Sequence, residues 1–283
     1  MLWRLKLMRY RRRRAFEPWR RTRRLAFVLR WGLRLLLLLL IADLVYLAYH
    51  WPDWSQVARG PVPRSNFIRA YEMERRHDAT LPRLRWRPVS LARIPRHVQR
   101  AVIVAEDSRF YQHGGFDLIA FKEAMDFNLD KGRFAFGAST ISQQTVKNLF
   151  LSASRNPLRK WHELLLTWGM EHRLRKSRIL ELYLNIAEFG RGIYGVQAAA
   201  RAYWGRSADE LDLQQAAELA ATLPSPRKHN PATRSKPFLR RTDKILYWLR
   251  STEGGARSQA VNQGTGGGAG ARRRLSALAG GIS

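Results

Sequence analysis

A chain of 283 residues is long enough to bury one substantial core and still carry appendages. Its net charge of +29 points to a polyanionic partner (nucleic acid, an anionic membrane surface or a phosphate-bearing substrate), and the absence of cysteine excludes disulfides and thiol chemistry. The charge is uneven: residues 1–24 hold eleven Lys and Arg against Glu17, and the tail from Gly254 adds four arginines and no acid, leaving +15 on the middle.

The chain therefore opens with a basic segment, 1–24, followed by an apolar stretch, 25–51. Its centre is the unbroken run Leu35–Ala42, with Arg30 and Arg34 near the start, where long side chains can snorkel, and Asp43 as the one awkward charge inside. About twenty apolar residues cross a bilayer, which Leu33–Trp51 approaches, and Tyr46, Tyr49 and Trp51 form an interfacial belt. The arginine block before the span predicts a cytoplasmic N-terminus, with everything after Trp51 on the outer side of the membrane. No small-residue cleavage site follows, so the segment reads as a single-pass anchor rather than a removable signal.

Residues 52–91 are rich in Pro and Arg with little periodicity and read as an extended juxtamembrane connector. Residues 92–250 form the folded domain, predicted to be all-α: 3.6-residue stripes recur and alternating strand patterns do not. Residues 251–283, with QGTGGGAGARRR, are low-complexity and expected to be disordered.

Within the domain the organising stretch is Val98–Asp117, VQRAVIVAEDSRFYQHGGFD. Ile94, Val98, Ala101, Val102 and Ala105 recur at helical spacing after Pro95, and Glu106 lies along the same face, four residues after Val102. A carboxylate beside a buried stripe is expensive unless desolvation is used to raise its pKa. Asp107, Phe110, Tyr111 and His113 follow, and Gly114-Gly115 makes a turn. Taken alone, Glu106-Asp107 reads more readily as a solvated helix end than as a site, and His113 reads as structural.

Gly137-Ala138-Ser139-Thr140 then precedes ISQQTVKNLFL. Thr140 and Gln143 form a T-x-x-Q capping box, with Ser139 a competing cap, so a helix starts there with free N–H groups, and Lys147 follows about two turns on. Next, Pro157 opens a long helix predicted to bury Leu158, Trp161, Leu164, Leu165 and Trp168. Arg159 and Lys160 lie four and three residues before Glu163, so all three side chains can converge. Lys147, Arg155, Arg159 and Lys160 around one carboxylate have the composition of a pyrophosphate site, with a carboxylate able to hold a divalent ion. A solvated basic face is the plainer alternative.

Five motifs in order resemble the peptidoglycan glycosyltransferases, family-51 glycosyltransferases of the type found in penicillin-binding proteins. They are EDSRFYQHGGFD, GASTISQQTVKN, RKWHE, KSRILELYLN and GIYGVQAAARAYWG, spread over roughly residues 95–230. The chain looks most like the monofunctional, membrane-anchored biosynthetic members. The resemblance implies a mainly helical, bilobal domain with a lysozyme-like head and a hydrophobic jaw around Phe121–Phe136, where Phe127, Phe134 and Phe136 meet lipid. It implies polymerisation of lipid II with inversion to a β-1,4 link and release of undecaprenyl pyrophosphate, at the outer face of a bacterial inner membrane. Carried over, Glu106 is the general base and Glu163 the second catalytic carboxylate, a candidate ligand for Mg²⁺ or Mn²⁺; no organic cofactor is expected. Lys147 and Arg155 hold the donor pyrophosphate with Arg159 and Lys160 in support, and Asp107, Ser139, Thr140, Gln143, Gln144 and Asn148 shape the cleft. Partners implied are lipid II, the growing strand, the membrane and the cell-wall synthesis or division proteins.

Two other readings stand beside this one. A lysozyme-like lytic enzyme shares the fold idea but leaves the Lys/Arg cluster unexplained. A membrane-tethered nucleic-acid binder fits the charge but not the topology. Ser225-Pro-Arg-Lys228 is formally S-x-x-K, as in transpeptidases, but 55 residues follow it with no K-T-G, so the chain is expected to be monofunctional.

Overall fold

The computed structural model describes residues 2–131, 139–154 and 156–251. They fall into two units that divide after Pro52. The first is a continuous helix, α1 (Leu2–Tyr49). Its Arg24–Tyr49 portion reaches a mean hydropathy of 2.2 and is long and apolar enough to cross a membrane. At 1.5 Å per residue those 26 residues extend about 39 Å, against a hydrocarbon core of about 30 Å.

The second unit holds α2 (Trp54–Arg59), α3 (Asn66–His77), β1 (Arg85–Trp86), α4 (Arg96–Glu106), α5 (Leu118–Lys131), α6 (Ile141–Phe150), α7 (Pro157–Arg173), α8 (Lys176–Ile186), β2 (Glu188–Gly190), β3 (Ile193–Tyr194), α9 (Val196–Trp204) and α10 (Leu213–Thr222). A last helix, α11, spans 236–251. The mainly helical fold agrees with the periodicity. Helix α4 lies against α10, where Val98, Ala101 and Val102 meet a run of buried alanines, Ala216, Ala217, Ala220 and Ala221. Small residues on one helix let the other approach closely, and each buried valine contributes about 1.5–3 kcal/mol. Helix α6 packs against both α7 and α8. Ser142 Oγ donates to Glu171 of α7, and Lys176 Nζ of α8 reaches the same Glu171 oxygen at 2.7 Å.

Three features depart from the sequence expectation. The 52–91 segment is not a bare connector: it carries two helices and a strand with Trp54, Val57, Ile68 and Tyr71 buried. Arg178 of α8 donates to Val57 O and Gly60 O at 3.0 and 2.6 Å. The buried Asn185 side chain exchanges bonds of 2.8 Å with both the N–H and the C=O of Val89. Long-range partners supply what local periodicity lacked. Second, a small sheet of order β1-β3-β2 exists, with β1 parallel to β3 and β2 antiparallel to it. Strands of two or three residues are too short to show alternation.

Third, α7 is turned around relative to its hydrophobicity. Leu158 and Trp168 are more than half exposed and Trp161 is exposed, while Glu163, Leu166, Thr167 and Met170 are buried. Two stripes of helical spacing run along α7, and the more apolar one faces outward. Helix α5 does the same with Leu118, Ile119, Phe121, Met125, Phe127 and Leu129 exposed. Phe134 and Phe136 of the expected jaw lie outside the described residues.

Candidate active site

Glu106 is the last residue of α4, and the packing of α4 on α10 fixes where that end lies. Its carboxylate is held on both sides: Gln144 Nε2 of α6 donates to Oε2 at 2.9 Å, and Arg241 Nη2 of α11 donates to Oε1 at 2.9 Å. The Gln144 amide is itself oriented by Tyr183 Oη, which donates to its carbonyl oxygen at 3.0 Å. Burial pushes the Glu106 carboxyl above its ordinary pKa, and the Gln144 bond and the charges of Arg241 and Lys147 oppose without cancelling it. The partial negative charge at a helix C-terminus acts in the same direction as burial. Glu106 edges a cavity of about 370 Å³ with Asp107, Ala120, Phe127, Ser139 and Thr140 on its walls.

Asp107 does not face that cavity as a free acid. It accepts from Ile141 N, the first N–H of α6, at 2.9 Å, and lies 2.9 Å from His113 Nε2. Because His113 Nδ1 accepts from Gly115 N at 3.2 Å, the Nε2–H donates to Asp107. Thr140 builds the predicted capping box with Gln143, and its hydroxyl donates to Gly115 O at 2.7 Å. Gly115 has φ +95°, and a Cβ there would come within 2.9 Å of Thr167 and Glu171, so this turn requires glycine. The end of α4, the glycine turn and the start of α6 are thus one hydrogen-bonded block, and it sets the Gln144–Glu106 distance. Arg109 adds a fork on Asp117 at 2.8 and 2.9 Å. Although burial works against ionisation, the bonds from Arg109 and Ala120 N hold the Asp117 carboxyl low.

The cationic cluster forms on α6 and α7. Glu163 is 3% exposed, and Arg159 Nη1 and Lys160 Nζ reach its two oxygens at 2.6 and 2.5 Å. Lys147 comes to the same place from α6. Burial depresses its ammonium pKa, the Glu163 and Glu106 carboxylates raise it, and Arg159 and Lys160 lower it. Lys147 therefore stands in the field of both catalytic candidates. Asn148 is the next residue of α6, half-buried; Arg155 lies outside the described residues. A second, larger cavity of about 720 Å³ runs from this cluster along the outward face of α7, lined by Phe121, Ser139, Gln143, Lys160, Leu165 and Trp168. Ser139 borders both cavities.

The residues do not fit a resident metal at Glu163, because Arg159 and Lys160 already neutralise its carboxylate and Lys147 adds a third positive charge beside which a divalent ion would have to sit. Among the described residues, one cluster of three ligand-type side chains comes together: Asp107, His113 and Asp117. Its carboxylates are committed to Ile141 N, His113 and Arg109.

Arg241 and Tyr183 belong to the site without having been expected from the sequence. Tyr183 was legible as part of the buried stripe of α8 with Ile179 and Leu180. Arg241 adjoins the buried Phe238, Thr242 and Ile245 of α11, and a cation at the edge of a core stripe was the available signal.

Comparison with known proteins adds an independent line. The sequence pattern of the family described as Transglycosylase matches residues 76–250. The biosynthetic peptidoglycan transglycosylase of Methylobacillus flagellatus is 39% identical over 222 residues, covering 78% of this chain and 96% of that protein. Proteins of the same name from Nitrosospira multiformis and Marinomonas sp. are 44% and 46% identical over 171 residues, each covering 60% of this chain and 74% and 72% of theirs.

Proposed function

This chain belongs to the transglycosylase family, and on that premise we propose that it polymerises lipid II into glycan strands with Glu106 as general base. The observation that carries the assignment is the half-buried Glu106 carboxylate, clamped by Gln144 and Arg241 and raised in pKa, with the half-buried Lys147 in the field of both it and Glu163. Each Glu106 oxygen has a lone pair beyond the one engaged, so the base can accept a proton without losing its clamp. The acceptor's 4-hydroxyl gives that proton to Glu106 as its oxygen bonds to the donor's anomeric carbon. The bond from that carbon to the pyrophosphate oxygen breaks on the opposite side, inverting an α link to β-1,4. A general base of this kind contributes about 10²–10⁴-fold.

The departing pyrophosphate carries the charge that must be met. Lys147, Arg159 and Lys160 supply it from fixed positions in a partly dehydrated site, where preorganised charge is most effective. Arg155, between the second and third motifs, belongs with them by the resemblance to the family alone. Glu163 orients Arg159 and Lys160 and keeps the cluster assembled until substrate arrives. The apolar cavity along α7, with Lys160 on its wall, suits the polyprenyl chain attached to that pyrophosphate. The outward apolar faces of α5 and α7 suit a bilayer surface, and the apolar helix α1 suits a single-pass anchor with its arginine-rich end in the cytoplasm of a bacterial cell.

The lytic reading has less support, since cleavage of a neutral glycan gives Lys147, Arg159 and Lys160 no anion to meet, and the relatives are named biosynthetic. The deciding experiment supplies purified protein with labelled lipid II. Formation of polymer with release of undecaprenyl pyrophosphate is expected. Fragmentation of preformed glycan without incorporation would sink the assignment.

A further inference from the structure

Helix α10 is tied to both halves of the Glu106–Arg241 contact. Its alanines receive α4, whose last residue is Glu106. From another flank α10 presents Glu218, a carboxylate only 5% exposed beside the buried Leu219. A buried charge is expensive unless it is paired and hydrogen-bonded, and Glu218 has a partner of each kind. Gln214 Nε2 donates to its Oε1 at 3.2 Å, and Arg234 Nη1 lies 3.5 Å from the same oxygen. Arg234 is also the one non-glycine among the described residues with a positive φ, +41°. L side chains rarely adopt that conformation, and such strain persists where the surroundings impose it, most often close to functional sites.

Here the surroundings are a closed loop. It leaves the end of α10 with Ser225 N on Thr222 O at 3.2 Å. It then folds around the buried Asn230, whose Nδ2 donates to Pro226 O at 2.8 Å and whose Oδ1 accepts from Ala232 N and Thr233 N, both at 3.1 Å. Arg234 N donates to Asn230 O at 3.1 Å, and α11 begins at residue 236. The buried face of α11 carries Phe238, Thr242, Ile245 and Leu249, and the Thr242 hydroxyl has no hydrogen-bond partner. Apolar contact is non-directional, so that face holds α11 down without fixing its slide or rotation. The turn at Arg234 fixes them. Seven residues further, about 10.5 Å along the helix, Arg241 meets Glu106.

We propose that Glu218 and Arg234 are positioning residues for the base: by pinning the turn before α11 to α10, they set where the Arg241 guanidinium stands against the Glu106 carboxylate. Their importance to the reaction rests on the reading of Glu106 as the base of polymerisation. Glu106 takes its place from α10 through α4, and Arg241 takes its place from α10 through the Arg234 turn. One helix is therefore the common reference for both groups, and the buried Glu218 charge is its directional link to the second. Neither Glu218 nor Arg234 lines either cavity of the site, so their effect passes through Arg241.

The test uses the full-length protein in detergent. Glu218→Gln leaves Arg234 without its charged partner, and Arg234→Ala removes the pair from an exposed position without cutting the core. Each is expected to lower kcat on lipid II at least five-fold while KM changes less than two-fold, and Arg234→Lys to retain at least half of wild-type kcat. Added to Arg241→Ala, each should deepen the loss less than two-fold, because the group it positions is already gone. At one fixed pH the ¹³C carboxyl signal of Glu106, assigned with Glu106→Gln, should move in the same direction in Glu218→Gln, Arg234→Ala and Arg241→Ala. Losses that multiply with that of Arg241→Ala, or a Glu106 signal unmoved in folded Arg234→Ala, would overturn the proposal whatever the melting temperatures. A Glu106 signal that moves in all three variants of a protein unable to polymerise lipid II would support the positioning role and count against the polymerase reading alone.

Discussion

Arg241 Nη2 bridges the Glu106 carboxylate, 2.9 Å away, and the carbonyl oxygen of Ala105, 3.1 Å away, joining the last helix of the domain to the end of α4 across 135 residues of sequence. An arginine held by both the base and the base's own backbone fixes where the carboxylate points. It also counteracts the rise in pKa that burial imposes. Removing the cation therefore leaves desolvation less opposed. In Arg241→Ala the acid limb of the kcat/KM profile is expected to move up by about one pH unit, with partial return in Arg241→Lys, since an opposite charge beside a carboxylate lowers its pKa by ~1–3. A profile unchanged in both variants would reduce Arg241 to a structural contact.

Glu106→Gln keeps the shape and one acceptor oxygen but removes the base. Polymerisation should fall at least 100-fold, in line with the ~10²–10⁴ attributed to general bases. Retention of a tenth of wild-type turnover would exclude the role. Stability moves the other way. The folded-state pKa is raised above the unfolded one, so Glu106 contributes full stability only below the unfolded value, and that contribution is lost as pH rises through the folded value. The Gln variant is therefore expected to gain in melting temperature relative to wild type as pH rises from about 4 to 8. A difference independent of pH would contradict the burial argument.

Lys147→Ala removes the cation that stands in the field of both carboxylates. A loss of at least ten-fold in kcat/KM for lipid II is expected, equivalent to about 1.4 kcal/mol of transition-state stabilisation. Normal turnover at low substrate would place the pyrophosphate elsewhere and leave the α6 and α7 cations as a helix face.

The outward face of α7 makes an unusual demand on mutation. Replacing Leu158 and Trp168 together by Ser should leave the melting temperature of residues 53–283 within a few degrees of wild type, because both side chains are more than half exposed. Association of the same unit with lipid vesicles should fall several-fold. A large thermal destabilisation with unchanged vesicle binding would show that these side chains pack in a core.

Asn185 tests the connection between the 52–91 segment and the domain. Its side chain is fully buried and satisfies both backbone groups of Val89. Asn185→Ala strands them, and at ~1–3 kcal/mol for an unsatisfied buried group the loss is expected to be about 2–3 kcal/mol. That corresponds to roughly 5–10 °C in melting temperature for a domain of this size. An unchanged melting temperature would make the segment a passive linker after all.

The sequence alone determined what depends on near neighbours. The α4 stripe, the Thr140–Gln143 cap, Pro157 at the start of α7 and the convergence of Arg159 and Lys160 on Glu163 are relations within four residues. Helical geometry decides such relations without help from the rest of the chain. The apolar run in α1 was legible for the same reason. Tertiary structure decided whatever requires distant groups to meet. The two stripes of α7 have the same period, and only the arrival of Lys147 from α6 and the pairing of Glu163 show that the polar one is buried. The 52–91 segment looked structureless because its order comes from Arg178 and Asn185 of α8, about a hundred residues on. Arg241 shows no spacing to Glu106 that a sequence pattern could detect. It reaches the carboxylate only because α11 passes the end of α4, and burial, which no residue possesses by itself, then sets the pKa of the base.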